Sequence, residues 1–287
     1  MGKYRIESNS WCKNQITIPI DDFADGIFYA KKKCCDGIYI IPSLVNSNYM
    51  YDLNLLHEVS SSIIHLSFNE FLPIKKYNCI EGIYFLNNLK SLFLPSQYET
   101  IDMKHLKSIE VLSANSFNIV NIGHLCSLSL FQIRGKLGKN LTLLSDVRSL
   151  LKLLMINTNI ENLEGIENIK GLKSLELSYN KKLVDISRIN ITGIEELKII
   201  KCKNIGNLNI LNGNESIKEL YIDDIENLDF IPKMKNIKTF GFGNVKDGNM
   251  NNLIKSPTIE SVRFYPNRKH YSHTEFEVNR LLSQRDK

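Results

Sequence analysis

The stretch that decides the fold is Leu172-Lys173-Ser174-Leu175-Glu176-Leu177-Ser178-Tyr179-Asn180. Its leucines follow the pattern L-x-x-L-x-L, and the last two alternate with polar residues as along a strand with one buried face. The pattern recurs, with conservative apolar replacements, through most of the chain. Because a unit this short cannot bury its own apolar edge, the repetition predicts a stack of similar units.

The repeat is clearest in the second half of the chain, where successive units begin 21, 22, 23, 20 and 22 residues apart. Its apolar triplets there are Leu151/Leu154/Ile156, Leu172/Leu175/Leu177, Ile194/Leu197/Ile199, Ile217/Leu220/Ile222, Ile237/Phe240/Phe242 and Ile259/Val262/Phe264. Three triplets precede them, Leu89/Leu92/Leu94, Leu106/Ile109/Val111 and Leu125/Leu128/Leu130, and a weaker one stands at Ile63/Leu66/Phe68. These ten units predict parallel strands on one side of the stack and return segments on the other, over residues 63–266.

An amide or thiol follows three residues after the triplet in three units, at Asn159, Asn180 and Cys202. With this feature the chain resembles leucine-rich repeat proteins, particularly the short-repeat class of bacterial internalins and of a phosphatase regulatory subunit. The resemblance implies an α/β leucine-rich repeat solenoid, with a curved parallel β-sheet on the concave face and turns and short helical segments on the convex face. It also implies that the amide side chain turns inward and bonds to the backbone of the turn.

The two ends of the chain do not keep the repeat. Residues 1–62 predict an N-terminal cap of short strands at 16–20, 26–30 and 37–41, since an open solenoid end would expose apolar surface and a sheet edge. Residues 267–287 predict a C-terminal capping helix. Thr274-Glu275-Phe276-Glu277 fits a capping box, and apolar residues follow it at helical spacing.

Composition excludes several classes of protein. A hydrophobic content of 43% with 23% charged residues is typical of a folded, soluble chain, and the net charge of +5 is too small and interleaved to favour nucleic-acid binding. No apolar stretch predicts a membrane span or a secretory signal, so we expect a cytoplasmic protein. The six cysteines are scattered, which favours reduced thiols. The adjacent Cys34 and Cys35 are either a redox or metal pair or, as we expect, alternating residues of a strand.

The sequence holds no recognisable catalytic, phosphate-binding or metal-binding motif. The one dense group of polar candidates is His270, Tyr271, Ser272, His273, Glu275 and Glu277. We interpret it as the lead-in to the terminal helix, with the alternative of an acid-base or ligand cluster. The expectation is therefore a non-enzymatic protein with no cofactor, no metal and no small-molecule substrate.

The outward side of the strands is where a repeat protein recognises its partner. Taking the residue between the last two apolar positions of each triplet, or the one after them, predicts a partner-binding set of Phe93, Glu110, Phe131, Met155, Glu176, Lys198, Tyr221, Asp223, Arg263 and Tyr265. Aromatic and aliphatic residues bordered by charges are typical of a protein interface. Two alternatives remain, namely a register error that sends some of these residues inward and a loop that covers them.

These features predict a protein-binding scaffold for one protein partner, with no nucleic acid and no membrane involved. The Lys-, Asn- and Ile-rich chain with degenerate repeats is similar to leucine-rich repeat proteins encoded beside polymorphic bacterial toxins. That resemblance implies an immunity protein that binds and neutralises a toxin domain, for example in contact-dependent growth inhibition. The alternatives are a regulatory scaffold for an endogenous enzyme such as a phosphatase, and an internalin-like adhesin or effector.

Overall fold

The computed structural model describes residues 4–42, 51–72, 79–96, 99–115 and 118–285. They fall into two compact units, Met1–Gly135 and Lys136–Lys287. Each unit is a sheet of short, mainly parallel strands joined by compact return segments, which is the leucine-rich repeat architecture that the sequence predicts.

The first unit contains a sheet with the strand order β1-β2-β3-β4-β5-β7-β9. Its strands are β1 (Arg5–Glu7), β2 (Gln15–Pro19), β3 (Gly37–Ile41), β4 (His65–Phe68), β5 (Ser91–Leu94), β7 (Val111–Ala114) and β9 (Leu130–Arg134). Strand β1 pairs antiparallel with β2, and every later pair is parallel. Two short strands in the return segments, β6 (Ile101–Asp102) and β8 (Ile119–Val120), form a separate parallel pair.

The second unit is a sheet of six parallel strands in chain order. They are β10 (Lys152–Ile156), β11 (Ser174–Ser178), β12 (Glu196–Ile200), β13 (Glu219–Ile225), β14 (Thr239–Val245) and β15 (Ser261–Phe264). A short helix α2 (Asn251–Lys255) lies in the last return segment, and helix α3 (Glu275–Ser283) ends the unit.

Two rows of apolar side chains run across the strands and form the core of the second unit. The register places them in line as Leu153, Leu175, Leu197, Leu220, Phe240 and Val262, and as Met155, Leu177, Ile199, Ile222, Phe242 and Phe264. All twelve are buried, the most exposed at 4%. Since side chains alternate along a strand, the residues between and beside these rows point away from the core.

Return segments contribute the other wall of each core. Most hold a short 3₁₀-helix, at Leu53–Val59, Ile80–Phe85, Met103–His105, Ile122–His124, Thr142–Leu144, Ile166–Asn168, Ser187–Ile191, Leu208–Leu211 and Ile231–Lys233. The segments between successive strands of the second unit have 13 to 18 residues. They turn apolar residues such as Leu163, Ile166, Leu183 and Ile186 fully inward.

The inward amide that the family resemblance implies is present at Asn180, which is completely buried. Its Oδ1 accepts hydrogen bonds from the backbone N–H of Thr158 at 2.7 Å and from the Thr158 hydroxyl at 2.6 Å, while its Nδ2 donates to the carbonyl of Met155 at 2.9 Å. At the matching position of the next repeat, the Cys202 thiol donates to the carbonyl of Leu177 at 3.3 Å. These side chains satisfy backbone groups at the point where each strand ends.

The N-terminal segment differs from expectation at residues 26–30. These lie in helix α1 (Phe23–Lys32), which connects the parallel strands β2 and β3, and not in a strand. The prediction was wrong because a short apolar run does not distinguish a strand from part of a helix with one buried face. Cys34 is exposed and Cys35 buried as expected, but they lie in the turn after α1 and not on a strand.

The C-terminal helix is confirmed, including its capping box. The Thr274 hydroxyl accepts a hydrogen bond from the Glu277 N–H, and the Glu277 carboxylate accepts one from the Thr274 N–H at 2.7 Å. Arg285, just beyond the helix, donates to four backbone carbonyls at the end of α2 and after it, those of Leu253, Ile254, Ser256 and Ile259. Arg285 therefore attaches the C-terminal end of the helix to the last repeat, and the Glu275 carboxylate attaches its N-terminal end by accepting a hydrogen bond from the Phe264 N–H.

Candidate interaction surface

The outward face of the second unit is formed by three side chains per strand, at the positions before, between and after the two buried residues. Across β10 to β13 these are Lys152, Leu154 and Ile156, then Ser174, Glu176 and Ser178, then Glu196, Lys198 and Ile200, then Glu219, Tyr221 and Asp223. We call this set the β10–β13 face. It carries four half-buried apolar side chains, Leu154, Ile156, Ile200 and Tyr221, among charged ones.

Six residues of the predicted binding set lie on the outward side of the second unit. Glu176, Lys198, Tyr221 and Arg263 occupy the middle position of their strands, and Asp223 and Tyr265 follow the second buried residue. Tyr265 is 86% exposed. The structure brings Glu176, Lys198 and Tyr221 side by side, because they are register partners on β11, β12 and β13.

Met155 and Phe131 do not belong to the surface, because both are completely buried. Their repeats are in a different register from the predicted one. The first uses Leu150, Leu153 and Met155 as its inward residues, and the second uses Leu128, Phe131 and Ile133. The residues that sequence reasoning missed are therefore Leu154 and Ile156. The run Leu150-Leu151-Lys152-Leu153-Leu154 permits both registers, so the apolar pattern alone could not find them.

Glu110 is exposed but lies directly before β7 and not on the outward face of the sheet. Its repeat is also shifted, since the inward residues are Ile109, Leu112 and Ala114. The Glu110 carboxylate forms an ion pair with Lys90 at 2.9 Å. It therefore serves the contact between neighbouring repeats.

Phe93 occupies the predicted middle position on β5, but its ring is half covered. The ring of Trp11, from the loop between β1 and β2, contacts it edge-on, with 5.3 Å between the ring centroids. The ring of His65 also contacts it, with 5.2 Å between the centroids. The Asp36 carboxylate holds this loop by accepting hydrogen bonds from the N–H groups of Lys13 and Asn14. The first unit therefore covers part of its outward face with its own chain.

His65 packs against Phe93 with only 1% of its surface exposed. Its Nδ1 is 2.6 Å from the hydroxyl of Ser91, which is also buried. Burial lowers the pKa of His65 to about 4, against a smaller opposing effect of Asp36. The ring is thus neutral near pH 7 and serves as a packed, hydrogen-bonded part of the outward face.

Charged side chains directly before the strands of the second unit form ion pairs with one another. The Glu195 carboxylate contacts Lys173 at 2.8 Å and Lys218 at 2.6 Å, and Lys238 contacts Glu260 at 2.8 Å. Hydrogen bonds from Lys173 and Lys218 lower the pKa of Glu195 to about 2. These pairs bridge neighbouring repeats one after another.

The charges of the β10–β13 face are different. Among the ion pairs of the described residues, none includes Glu176, Glu196, Lys198, Glu219 or Asp223. Glu196 and Glu219 are both exposed and face each other as register partners on adjacent strands. Burial raises the pKa of Tyr221, and the nearby negative charges of Asp223 and Asp224 raise it further.

A groove of about 650 Å³ opens where β12 and β13 end. The apolar side chains of Ile205, Leu208 and Phe230 line it, with Lys201 and Asp223 among its charged residues. Ile205 and Leu208 are only half buried, whereas their counterparts in the preceding repeat, Leu183 and Ile186, are fully buried. The groove therefore adjoins the β10–β13 face at Asp223.

The polar cluster near the C-terminus is engaged in structural hydrogen bonds. The Tyr271 hydroxyl accepts from the Val245 N–H at 3.2 Å, and a ring nitrogen of His270 lies 3.1 Å from the Val245 carbonyl. The Glu275 carboxylate accepts from the Phe264 N–H at 3.0 Å. These contacts are those of a lead-in to the terminal helix. In the described part of the chain, no group of His, Cys, Asp and Glu is arranged to hold a metal ion.

Comparison with known proteins gives structural similarity alone. No protein-family profile matches the chain, and no curated protein matches it. Internalin C2 from Listeria monocytogenes aligns with 75% of this chain and 99% of its own, at 20% identity and a TM-score of 0.42. The functional domain of InlJ from the same organism aligns with 73% of this chain and 68% of its own, at 9% identity and a TM-score of 0.33.

A plant peptide hormone receptor, RGFR1, solved in complex with RGF2, aligns with 85% of this chain and 57% of its own, at 12% identity and a TM-score of 0.29. Scores this low carry no information on partner or activity. Among the helices of the described residues, none is long and apolar enough to cross a membrane.

Proposed function

We propose that this chain is a non-enzymatic scaffold that binds one protein partner on the β10–β13 face of its second unit. The observation that carries the proposal is the composition of that face. Leu154, Ile156, Ile200 and Tyr221 keep part of their apolar surface in contact with solvent, among charges that have no ion-pair partner in the described residues. Desolvated aromatic and aliphatic anchors surrounded by polar groups are the usual composition of a protein interface.

In its specific form, the proposal is that the partner is a bacterial toxin domain and that the chain is its cytoplasmic immunity protein. The support is the similarity of this Lys-, Asn- and Ile-rich chain with degenerate repeats to leucine-rich repeat proteins encoded beside such toxins. A rigid, stacked face of this kind is able to occlude an active site without chemistry of its own, because binding alone excludes the substrate.

The test has two arms. In the first, the protein encoded immediately upstream is expressed alone and together with this chain. Growth arrest by the neighbour alone, rescued by co-expression, is the expected result, and rescue without any physical complex would contradict the proposal.

In the second arm, calorimetry measures the affinity of the purified pair. We expect Tyr221→Ala and Leu154→Ala each to weaken binding by about 10-fold or more, as anchors in the centre of an interface do. Val184→Ala is the matched control, because Val184 is an exposed apolar residue of a return segment. Equal affinities for all three variants would place the binding surface elsewhere.

A further inference from the structure

The charges of the β10–β13 face are unbalanced although the whole chain is basic. It carries four acids, Glu176, Glu196, Glu219 and Asp223, against two exposed cations, Lys152 on β10 and Lys198 on β12. The four acids lie on the three adjacent strands β11 to β13, where Lys198 is the one cation of the face. The chain as a whole carries a net charge of +5. The acidic centre is therefore a local property of this face.

The arrangement costs stability in the free protein. Glu196 and Glu219 are direct register partners, and neighbouring parallel strands lie only about 4.8 Å apart. Like charges placed opposite each other in a sheet destabilise it. The nearest lysines, Lys173 and Lys218, form their ion pairs with Glu195 and not with Glu196 or Glu219.

We infer that the partner presents a basic surface, with Lys or Arg side chains that enter between these four carboxylates around the apolar centre at Tyr221 and Ile200. This inference rests on the proposed function and specifies the chemistry of the partner. Complementary potentials steer association and exclude partners of the wrong charge. A cationic partner also reduces the repulsion between Glu196 and Glu219, so the relief of this repulsion adds to the free energy of binding.

The partner is first captured by placing the photo-crosslinking residue p-benzoylphenylalanine at position 198 of the full chain, in the cells that produce it. The same residue at position 184, on a return segment, is the control. The cross-linked protein is identified by mass spectrometry, purified and used as the probe in all later measurements. If position 198 gives no cross-link beyond that of position 184, both the face and its basic partner are refuted.

Charge variants then test the sign of the interaction. We expect the double variant Glu196→Gln/Glu219→Gln to weaken binding about 10-fold near 50 mM salt, and much less at 0.5 M salt, where exposed charges are screened. The same variant should unfold at an equal or higher denaturant concentration, because it removes a like-charge pair. Lys198→Gln should tighten binding, which a merely structural role of these residues would not produce.

The control variant Glu164→Gln/Asp229→Asn removes two exposed acids of the return segments and should leave affinity unchanged. If Tyr221→Ala weakens binding while the glutamate variant does not, the face binds protein but the basic partner is refuted. If neither variant has an effect, the proposed function fails together with the inference. Weaker binding by Lys198→Gln would equally overturn it, since the partner would then carry the opposite charge.

Discussion

Replacing Asn180 by Ala should destabilise the second unit strongly, although the change removes only a carboxamide. Asn180 is completely buried and forms hydrogen bonds with the Thr158 N–H and the Met155 carbonyl of the adjacent repeat. Without it, the Thr158 N–H stays buried without its hydrogen-bond partner, at a cost of about 1–3 kcal/mol, and the Met155 carbonyl loses one hydrogen bond, at a cost of about 0.5–1.5 kcal/mol. We therefore expect the free energy of unfolding to fall by about 2–4 kcal/mol.

Urea unfolding measures this change as a shift of the midpoint without a change of slope. Hydrogen exchange at the Thr158 amide gives a local measurement, since this proton should lose its protection. Asn204→Ala is the matched control, because the exposed Asn204 side chain also donates to a carbonyl, that of Lys181, where water can replace it. The reasoning is refuted if Asn180→Ala costs no more than Asn204→Ala, or if the Thr158 amide stays protected.

Three further predictions concern Arg285, which binds the last repeat, and Glu195 and His65, whose pKa values are lowered. Arg285→Ala should lower the free energy of unfolding by about 1–3 kcal/mol, because the guanidinium serves four carbonyls, and an unchanged melting temperature would contradict this role. The pKa of Glu195 is lowered to about 2, so its ion pairs stabilise the fold above its ordinary pKa near 4.5 and lose that effect as pH falls to 2. Glu195→Gln should therefore reduce the change of the unfolding midpoint with pH between pH 5 and pH 2. Glu164→Gln is the control and should leave this pH dependence unaltered. The pKa of His65 is lowered to about 4, so stability should decrease as pH falls from 6.5 to 4. His65→Gln should remove this part of the pH dependence in denaturant titrations, and an identical pH profile would show that His65 is not its source.

The apolar pattern predicts the architecture well because two rows of inward residues recur in every repeat. It identifies the inward residues of β11 correctly, since Leu172, Leu175 and Leu177 are flanked by polar residues. It misplaces those of β10 because Leu150 and Leu151 stand side by side, and the choice between them depends on which one the neighbouring repeat covers. Only the packed structure decides that, and a shift of one residue exchanges the two faces of the strand.

The covered face of the first unit could not be predicted for a different reason. Trp11 meets Phe93 through a loop that lies outside the repeat, and the two residues are far apart in the chain. The repeat pattern describes contacts between successive units and contains no information about such a loop. Phe93 therefore has the sequence position of a surface anchor, while its ring packs against Trp11 and His65.

The second unit separates the charges that stabilise it from those that we assign to recognition. Directly before the strands, Lys173, Glu195 and Lys218 bind one another between repeats, so a substitution there changes the fold and its pH dependence. On the β10–β13 face, Glu196 and Glu219 repel each other and bind no cation in the described residues. A protein selected for stability alone would lose this pair readily, because neutralising either residue removes a cost. Both lie on the outward face, one residue after the paired Glu195 and Lys218, and a basic partner would explain their position there.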